Sequence, residues 1–416
     1  MSSTHLSTTA FNSLALAEPL LKGLNDAGFT YCTPIQAQTL PISLLGKDVA
    51  GQAQTGTGKT IAFLLATYET MLFEEPADNP HGIRALIIAP TRELALQIYN
   101  DALIIGKYTD VRLGLAYGGT DYEKQRKILE DGVDILIGTP GRIIDFFNQK
   151  VFNLRTTDVL VLDEADRMFD LGFIKDIRFL LRRLPAPPDR LNLLFSATLS
   201  FKVTELAYEH MNNPEIIRVE PDQVTAKQVE EFIYYPADSE KIPLLVMLLN
   251  QQLPERGIIF INTKQTADRL NRYLEGNGFN SAVLSGDVPQ KKRQKILQQF
   301  QDGELPLLIA TDVAARGLHI PAVSHVFNFD LPQDAEDYVH RIGRTARSGA
   351  SGIAISFACE TYAYSLPDIE EYISHKIPFK TIDSTLLPEL KPATKKVYKA
   401  PSKHNKSKPR SHKPKA

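Results

Sequence analysis

Ala53-Gln54-Thr55-Gly56-Thr57-Gly58-Lys59-Thr60 follows a short strand signal at Val49-Ala50, and further along Val159-Leu160-Val161-Leu162 runs straight into Asp163-Glu164-Ala165-Asp166. The first stretch is a small-residue variant of the G-x-x-x-x-G-K-T phosphate loop, with Ala53 in the leading glycine's place. Small residues there let successive backbone N–H groups converge on phosphate oxygens where a helix begins. Lys59 would reach the β- and γ-phosphates, and the Thr60 hydroxyl would ligate Mg²⁺. Alone, such a loop is a weak signal. An apolar strand ending in acid strengthens it, because α/β nucleotide sites take their coordinating carboxylate from the end of a parallel strand. Asp163 would hold the metal, and Glu164 would orient and deprotonate the attacking water.

Working outward, apolar runs alternate with amphipathic stretches in a βα rhythm. Strands are expected at 85–88, 113–117, 135–137, 159–162 and 191–195, with helices such as 92–105 and 122–129 between them. A second series follows at 257–261, 281–284, 307–310, 325–329 and 353–357. The polar stretch separating the two series reads as a linker. The fold class is therefore α/β, with two parallel-sheet domains. The expected division is an N-terminal segment at 1–39, a first domain at 40–219, a flexible linker at 220–230, a second domain at 231–390 and a basic tail at 391–416.

Size and composition agree: 416 residues suffice for two domains, and 43% hydrophobic with 23% charged residues is the balance of a soluble globular chain. No apolar run is long enough to span a bilayer, and the polar start lacks a signal-peptide core, so no membrane association is expected. Cys32 and Cys359 lie far apart without C-x-x-C spacing, which argues against a metal knuckle and for a reducing, cytoplasmic setting. The net charge of −2 hides an asymmetry. From Lys391 to Ala416 there are ten Lys or Arg and no acid, which leaves 37 bases against 49 acids in the rest, or −12. An acidic body with a basic arm suits a polyanion partner, and an arm this polar is expected to be disordered.

The ordered set of motifs resembles the DEAD-box RNA helicases from Phe11 to about Phe357. The set runs Gly28-Phe29 with Thr33-Pro34-Ile35-Gln36, the phosphate loop, Pro90-Thr91-Arg92-Glu93-Leu94-Ala95, Gly118-Gly119, Thr139-Pro140-Gly141-Arg142, Asp163-Glu164-Ala165-Asp166 and Ser196-Ala197-Thr198. The second half adds Ile259-Phe260-Ile261-Asn262-Thr263, Gln290 with Arg293, Ala310-Thr311-Asp312 to Arg316-Gly317, and His340-Arg341-Ile342-Gly343-Arg344. Two departures stand out. His319 occupies a place where most relatives have Asp, and Ala346 one where the family usually has Gly. His319 and the stretch 170–178 resemble a bacterial subfamily that partners the RNA degradosome.

The resemblance implies two RecA-like domains that close over ATP, Mg²⁺ and RNA. An adenine-sensing Q motif would occupy 9–37, with Phe11 stacking on the base and the Gln36 amide pairing with its edge. Phe11 also reads as an ordinary hydrophobic anchor. Asp166 would bond Ser196 and Thr198, coupling nucleotide state to shape. Arg344 and Arg347 resemble arginine fingers that reach the γ-phosphate on closure, and Asp312 would touch the ribose or the closure contacts. Thr91, Arg92, Gly118, Gly119, Thr139, Gly141 and Arg142 resemble first-domain RNA contacts; Gly286, Gln290, Arg293 and Thr311 resemble those of the second. Hydroxyls, glycine N–H groups and arginines suit phosphate and sugar rather than base edges, so sequence-independent binding is expected. The implied protein partner is the degradosome endonuclease RNase E. An ATP-timed RNA clamp with little unwinding, and a DNA-directed motor, remain open alternatives at this point.

Overall fold

The computed structural model describes residues 6–54, 56–73, 82–119, 121–219, 229–315, 323–345 and 351–394. The first domain is a seven-stranded, wholly parallel sheet. Its strands are β1 (Val49–Gln52), β2 (Ala85–Ile88), β3 (Leu113–Ala116), β4 (Ile135–Gly138), β5 (Val159–Asp163), β6 (Leu191–Ser196) and β7 (Glu215–Arg218), in the order β3-β4-β2-β5-β6-β1-β7. The second sheet, also wholly parallel, has six: β8 (Val229–Tyr234), β9 (Gly257–Phe260), β10 (Ser281–Leu284), β11 (Leu307–Ala310), β12 (His325–Asn328) and β13 (Gly352–Phe357), in the order β10-β11-β9-β12-β13-β8.

Helices cover both faces of each sheet. In the first domain and its N-terminal segment they are α1 (Glu18–Asp26), α2 (Pro34–Ser43), α3 (Lys59–Phe73), α4 (Arg92–Ile105), α5 (Tyr122–Glu130), α6 (Pro140–Asn148), α7 (Ala165–Asp170), α8 (Ile174–Leu181) and α9 (Phe201–His210). The second carries α10 (Lys241–Gln252), α11 (Lys264–Gly276), α12 (Gln290–Gln301), α13 (Asp312–Ala315), α14 (Ala335–Ile342) and α15 (Leu366–Ile373). The central strands are continuous apolar runs because both their faces are covered. Period-2 alternation splits them between two cores. Ile87, Val161 and Leu193 pack with Phe63 of α3, whereas Leu86, Leu160 and Leu194 pack with Ile143 and Phe146 of α6. Each such side chain contributes about 1.5–3 kcal/mol when fully buried.

One strand and two domain boundaries differ from expectation. Edge strands β7 and β8 lack the apolar run that marks the others. β8 takes Val229 and Glu230 from the expected linker, pairing them with Ile353 and its neighbours on β13; residues 220–228 lie outside the described residues. Residues 391–394 of the expected disordered tail are seated on α11. There Lys391 N–H donates to Asn277 Oδ1 (3.0 Å) and Thr394 N–H to Arg272 O (3.1 Å). Backbone groups and the Thr394 hydroxyl, which donates to Glu275 Oε2 at 3.0 Å, make that contact, not the basic side chains. Among the described residues no helix is long and apolar enough to cross a membrane.

Candidate nucleotide site and nucleic-acid interface

β1 delivers the phosphate loop to the start of α3, so Lys59 opens that helix with its unbonded N–H groups facing the loop. Gly56 and Gly58 both adopt positive φ, +83° and +90°, and a Cβ on Gly58 would sit 2.5 Å from Gln36 Nε2. Lys59 is buried, and its Nζ donates to Ala53 O at 2.7 Å, curling back over the loop it serves. Thr57 Oγ1 donates to Gln54 O at 2.7 Å and tightens the turn. Thr60 follows one residue into the helix, half-buried, while Thr55 lies outside the described residues.

At the end of β5, Asp163 is buried and accepts from Glu164 N–H at 2.9 Å. Burial pushes its carboxyl up to about 7, against the pull of Lys59 and with Glu164 and Asp166 adding repulsion. Glu164 sits at φ +52°, a left-handed conformation uncommon outside glycine, and its buried Oε2 has no hydrogen-bond partner. Two adjacent buried acids, one of them unpartnered, need a cation. Asp163 with the Thr60 hydroxyl supplies hard oxygen donors that fit Mg²⁺. No cluster of three His, Cys, Asp or Glu able to hold a metal occurs among the described residues, so phosphate and water would complete the shell, as Mg²⁺ prefers.

Asp166 joins two motifs as expected. Its Oδ2 accepts from Ala197 N–H (3.2 Å), Thr198 N–H (3.1 Å) and Thr198 Oγ1 (3.4 Å), while its own N–H donates to Ser196 Oγ at 3.1 Å. Gln36 occupies the third position of α2, where Oε1 accepts from Thr33 N–H (2.8 Å) and Nε2 donates to Gly58 O (2.9 Å). Both ends of the expected adenine reader are thus engaged, one closing a capping box and the other clasping the phosphate loop. Phe11 is 2% exposed inside the first-domain core, the anchoring role that its sequence context also allowed.

The RNA candidates gather at the carboxyl ends of strands in both domains. Thr91 follows β2 and caps α4, accepting from Leu94 N–H at 3.3 Å. Gly118 and Gly119 follow β3, and a Cβ on Gly119 (φ +87°) would run into the Arg92 guanidinium. Thr139 and Gly141 follow β4, and a Cβ on Gly141 would meet open space. Arg142 is less free than its motif suggests. It stacks over Tyr122 and Phe146 (4.8 and 5.4 Å to the ring centroids), and its Nη1 donates to Gln125 Oε1 at 3.3 Å. In the second domain Gly286 follows β10 and Thr311 follows β11. Gln290 and Arg293 on α12 reach across to the first domain: Arg293 Nε lies 2.6 Å and Gln290 Nε2 3.1 Å from Glu93 Oε1.

The second-domain half of the pocket is built around Arg341, which is almost completely buried. Its guanidinium donates to both oxygens of Asp312 (2.7 and 2.6 Å), to Asn262 Oδ1 (2.9 Å) and to Asp330 O (2.5 Å). Asp312 is therefore tied to Arg341, and the arginine holds the ends of β9, β11 and β12 together. Arg344, one turn on, is 5% exposed and shares a cavity of about 10 Å³ with Arg167, Asp312, Asp337, His340 and Arg341. That space admits at most one water. Arg167 belongs to the first domain, yet its Nη2 lies 2.8 Å from His340 Nδ1 and its Nη1 3.5 Å from Asp337 Oδ1 on α14. Arg347 and Ala346 lie outside the described residues, as do Arg316, Gly317 and His319.

A DEAD/DEAH box helicase domain matches residues 33–206, and a helicase conserved C-terminal domain matches 240–349. The curated protein "ATP-dependent RNA helicase RhlB" of Shewanella piezotolerans is 55% identical over 98% of this chain and 94% of its own length. Its namesake from Vibrio campbellii is 58% identical over 94% and 90%. The chain belongs to the DEAD/DEAH box helicases.

Among solved structures, Saccharomyces cerevisiae Dbp5 bound to RNA and ADP BeF3 matches with TM-score 0.80 at 31% identity, over 91% of this chain and 97% of that one. Mss116 bound to ssRNA and UDP-BeF matches at 0.81 with 29% identity, over 91% and 81%. Dbp5 bound to Nup159, Gle1, IP6 and ADP reaches only 0.62 at the same 31% identity, over 89% and 96%. Three residues with prominent contacts were given no role by the sequence reading: Glu93, Arg167 and Arg341. Each stands inside or directly beside a motif, but a motif marks a place in the chain and not a distant partner, whether across the cleft for Glu93 and Arg167 or within the second domain for Arg341.

Proposed function

We propose that this ATP-dependent RNA helicase works by closing its two domains over ATP and single-stranded RNA, which separates a short duplex locally. Lys59 and the amino end of α3 bind and orient the phosphates, and Glu164 takes the proton from the attacking water. Mg²⁺, bound by Asp163 and Thr60, would neutralise charge on the β- and γ-phosphates. Arg344 and Arg347 add positive charge to the transition state once the second domain is in place. Asp166, bonded to Ser196 and Thr198, passes nucleotide state to the strand behind it. RNA lies across the carboxyl ends of both sheets on Thr91, Arg92, Gly118, Gly119, Thr139, Gly141, Gly286 and Thr311, without base reading.

The observation that carries closure is the junction itself. Buried charges pair across it, Glu93 with Arg293 and Arg167 with Asp337. The higher likeness to RNA-bound relatives than to the Gle1-bound state supports the same reading. The subfamily resemblance supports a place in RNA degradation beside RNase E, in the cytoplasm. The test is ATP turnover and short-duplex unwinding measured together, with RNA and with matched DNA, and with an RNase E fragment added. Turnover without unwinding would make the protein an RNA clamp. Equal stimulation by DNA would overturn the RNA assignment.

A further inference from the structure

Helix α14 carries the second domain's side of the junction, yet it has only 8 residues, and its N-cap, Asp334, makes no side-chain capping bond. Asp337 and His340 turn part of its surface toward Arg167 of the first domain. Tyr338 stands roughly 200° around the helix from His340 and so points away from the junction. It is completely buried, packed with Ile233, Leu331, Ala354, Leu366 and Ile369. Its hydroxyl donates to Glu231 Oε2 on β8 at 2.7 Å. The other Glu231 oxygen lies 3.4 Å from His375 Nε2, just past α15.

Glu231 is a costly residue for packing alone. Its side chain is buried, and no lysine or arginine pairs with it among the described residues. Burying a carboxylate is unfavourable unless its hydrogen bonds are made, and an apolar residue here with phenylalanine at 338 would fill the same space. What the carboxylate adds is direction, because a hydrogen bond to an ionised acceptor is short and about twice as strong as a neutral one. Burial and the adjacent Glu231 raise the Tyr338 hydroxyl well above its ordinary range, so it stays a donor. Arg341 ties the end of α14 to Asp330 O, Asn262 and Asp312, and Tyr338 ties its middle to β8. Two side chains thus define the rotation of the helix. Arg344 inherits that rotation, since its N–H donates to Arg341 O at 3.1 Å and Gly343 N–H donates to Val339 O at 2.9 Å. We propose, on the reading of Arg344 as the cation delivered on closure, that Glu231 is a positioning residue for ATP hydrolysis: through Tyr338 it sets the rotation of α14 and with it the aim of Arg344.

RNA-stimulated ATP turnover of full-length variants tests this, in the wild-type and in the Arg344→Ala backgrounds. Tyr338→Phe deletes one oxygen and Glu231→Ala deletes its acceptor, and each should lower kcat and kcat/KM equally, by about tenfold. Glu231→Gln keeps an acceptor for the hydroxyl and should retain most of the rate. In the Arg344→Ala background Tyr338→Phe should slow turnover no further, because the group it aims is gone. Should Glu231→Ala fail to fold, Tyr338→Phe decides alone, since its ring still fills the core. Wild-type turnover in Tyr338→Phe, or the same slowing in both backgrounds, overturns the positioning role and leaves the reading of Arg344 standing. Wild-type turnover in Arg344→Ala overturns both together.

Discussion

The two halves of the catalytic cleft balance their charges in opposite ways. In the first domain, Asp163 and Glu164 are buried side by side with Lys59 acting on Asp163, and one Glu164 oxygen is unpartnered. In the second, Arg341 has a partner for every guanidinium nitrogen, and Asp312 is saturated by it. On the proposed reading the first half awaits a ligand to complete its electrostatics, whereas the Arg341 cluster of the second half is already paired within the protein. In the proposed scheme the second half delivers Arg344, and delivery would depend on the ion pairs at the junction. The comparison therefore predicts that changes in the first half alter chemistry directly, whereas changes at the junction act through closure.

The largest effect is expected from Arg344→Ala. An arginine finger contributes about 10³–10⁵ in rate, so RNA-stimulated turnover should fall within that range while ATP binding by the isolated first domain is untouched. An isolated first domain that hydrolyses ATP as fast as the whole chain would break the two-half scheme. Glu164→Gln should come next, losing about 10²–10⁴ in turnover through removal of the general base. ATP should still bind, because shape is retained, and ATP-dependent RNA complexes should live longer by filter binding. Wild-type turnover in that variant would remove Glu164 from its role.

The junction is probed at Glu93, whose carboxylate meets Arg293 and Gln290 with both members of the ion pair mostly buried. Breaking a buried pair costs about 3–5 kcal/mol because one charge stays behind uncompensated. Glu93→Gln should therefore weaken cooperative binding of RNA and ATP while sparing basal nucleotide affinity. The swap Glu93→Arg with Arg293→Glu should restore part of the coupling. If Glu93→Gln leaves the coupling intact, Glu93 and Arg293 meet without contributing to closure.

Much of this was legible in the sequence, for reasons the fold makes plain. β2 and β11 begin and end where the apolar runs do, since strands buried on both faces cannot alternate. β7 was invisible because it is an edge strand whose residues are all exposed or half-buried. β8 carries Glu230 and Glu231 and was partly read as linker for the same reason. The phosphate loop around Lys59 and the buried acids Asp163 and Glu164 at the end of β5 lie where their local patterns placed them, whereas Asp166 bonds Ser196 and Thr198 of a separate motif. Gln36 and Arg142 were read as ligand contacts, yet their amide and guanidinium groups are engaged by Gly58 O, Thr33 N–H and the Tyr122 ring. Such engagements depend on residues far away in the chain, and no local pattern encodes them.

Gln36→Ala sharpens the first half of the comparison on a smaller scale. It removes the capping box of α2 and the clasp on Gly58, so a stability loss of about 1 kcal/mol is expected by chemical denaturation. Preference for ATP over GTP should erode if the freed amide also reads adenine. Equal use of both nucleotides by the unmutated protein would leave Gln36 with the structural role alone.

The smallest effect concerns the tail. Removing residues 395–416 leaves the seat of Lys391 and Thr394 on α11 intact, yet strips most of the chain's concentrated positive charge. A Lys-rich arm joined to a body of −12 contributes phosphate contacts without sequence reading. Each phosphate neutralised on a single strand adds about −0.7 to the slope of log affinity against log salt, so the shortened protein should bind RNA more weakly with a shallower slope. Basal ATP turnover should not change, because neither half of the cleft includes the tail. Identical slopes across a salt titration would confine RNA binding to the two carboxyl-edge surfaces, and the arm would then serve another ligand.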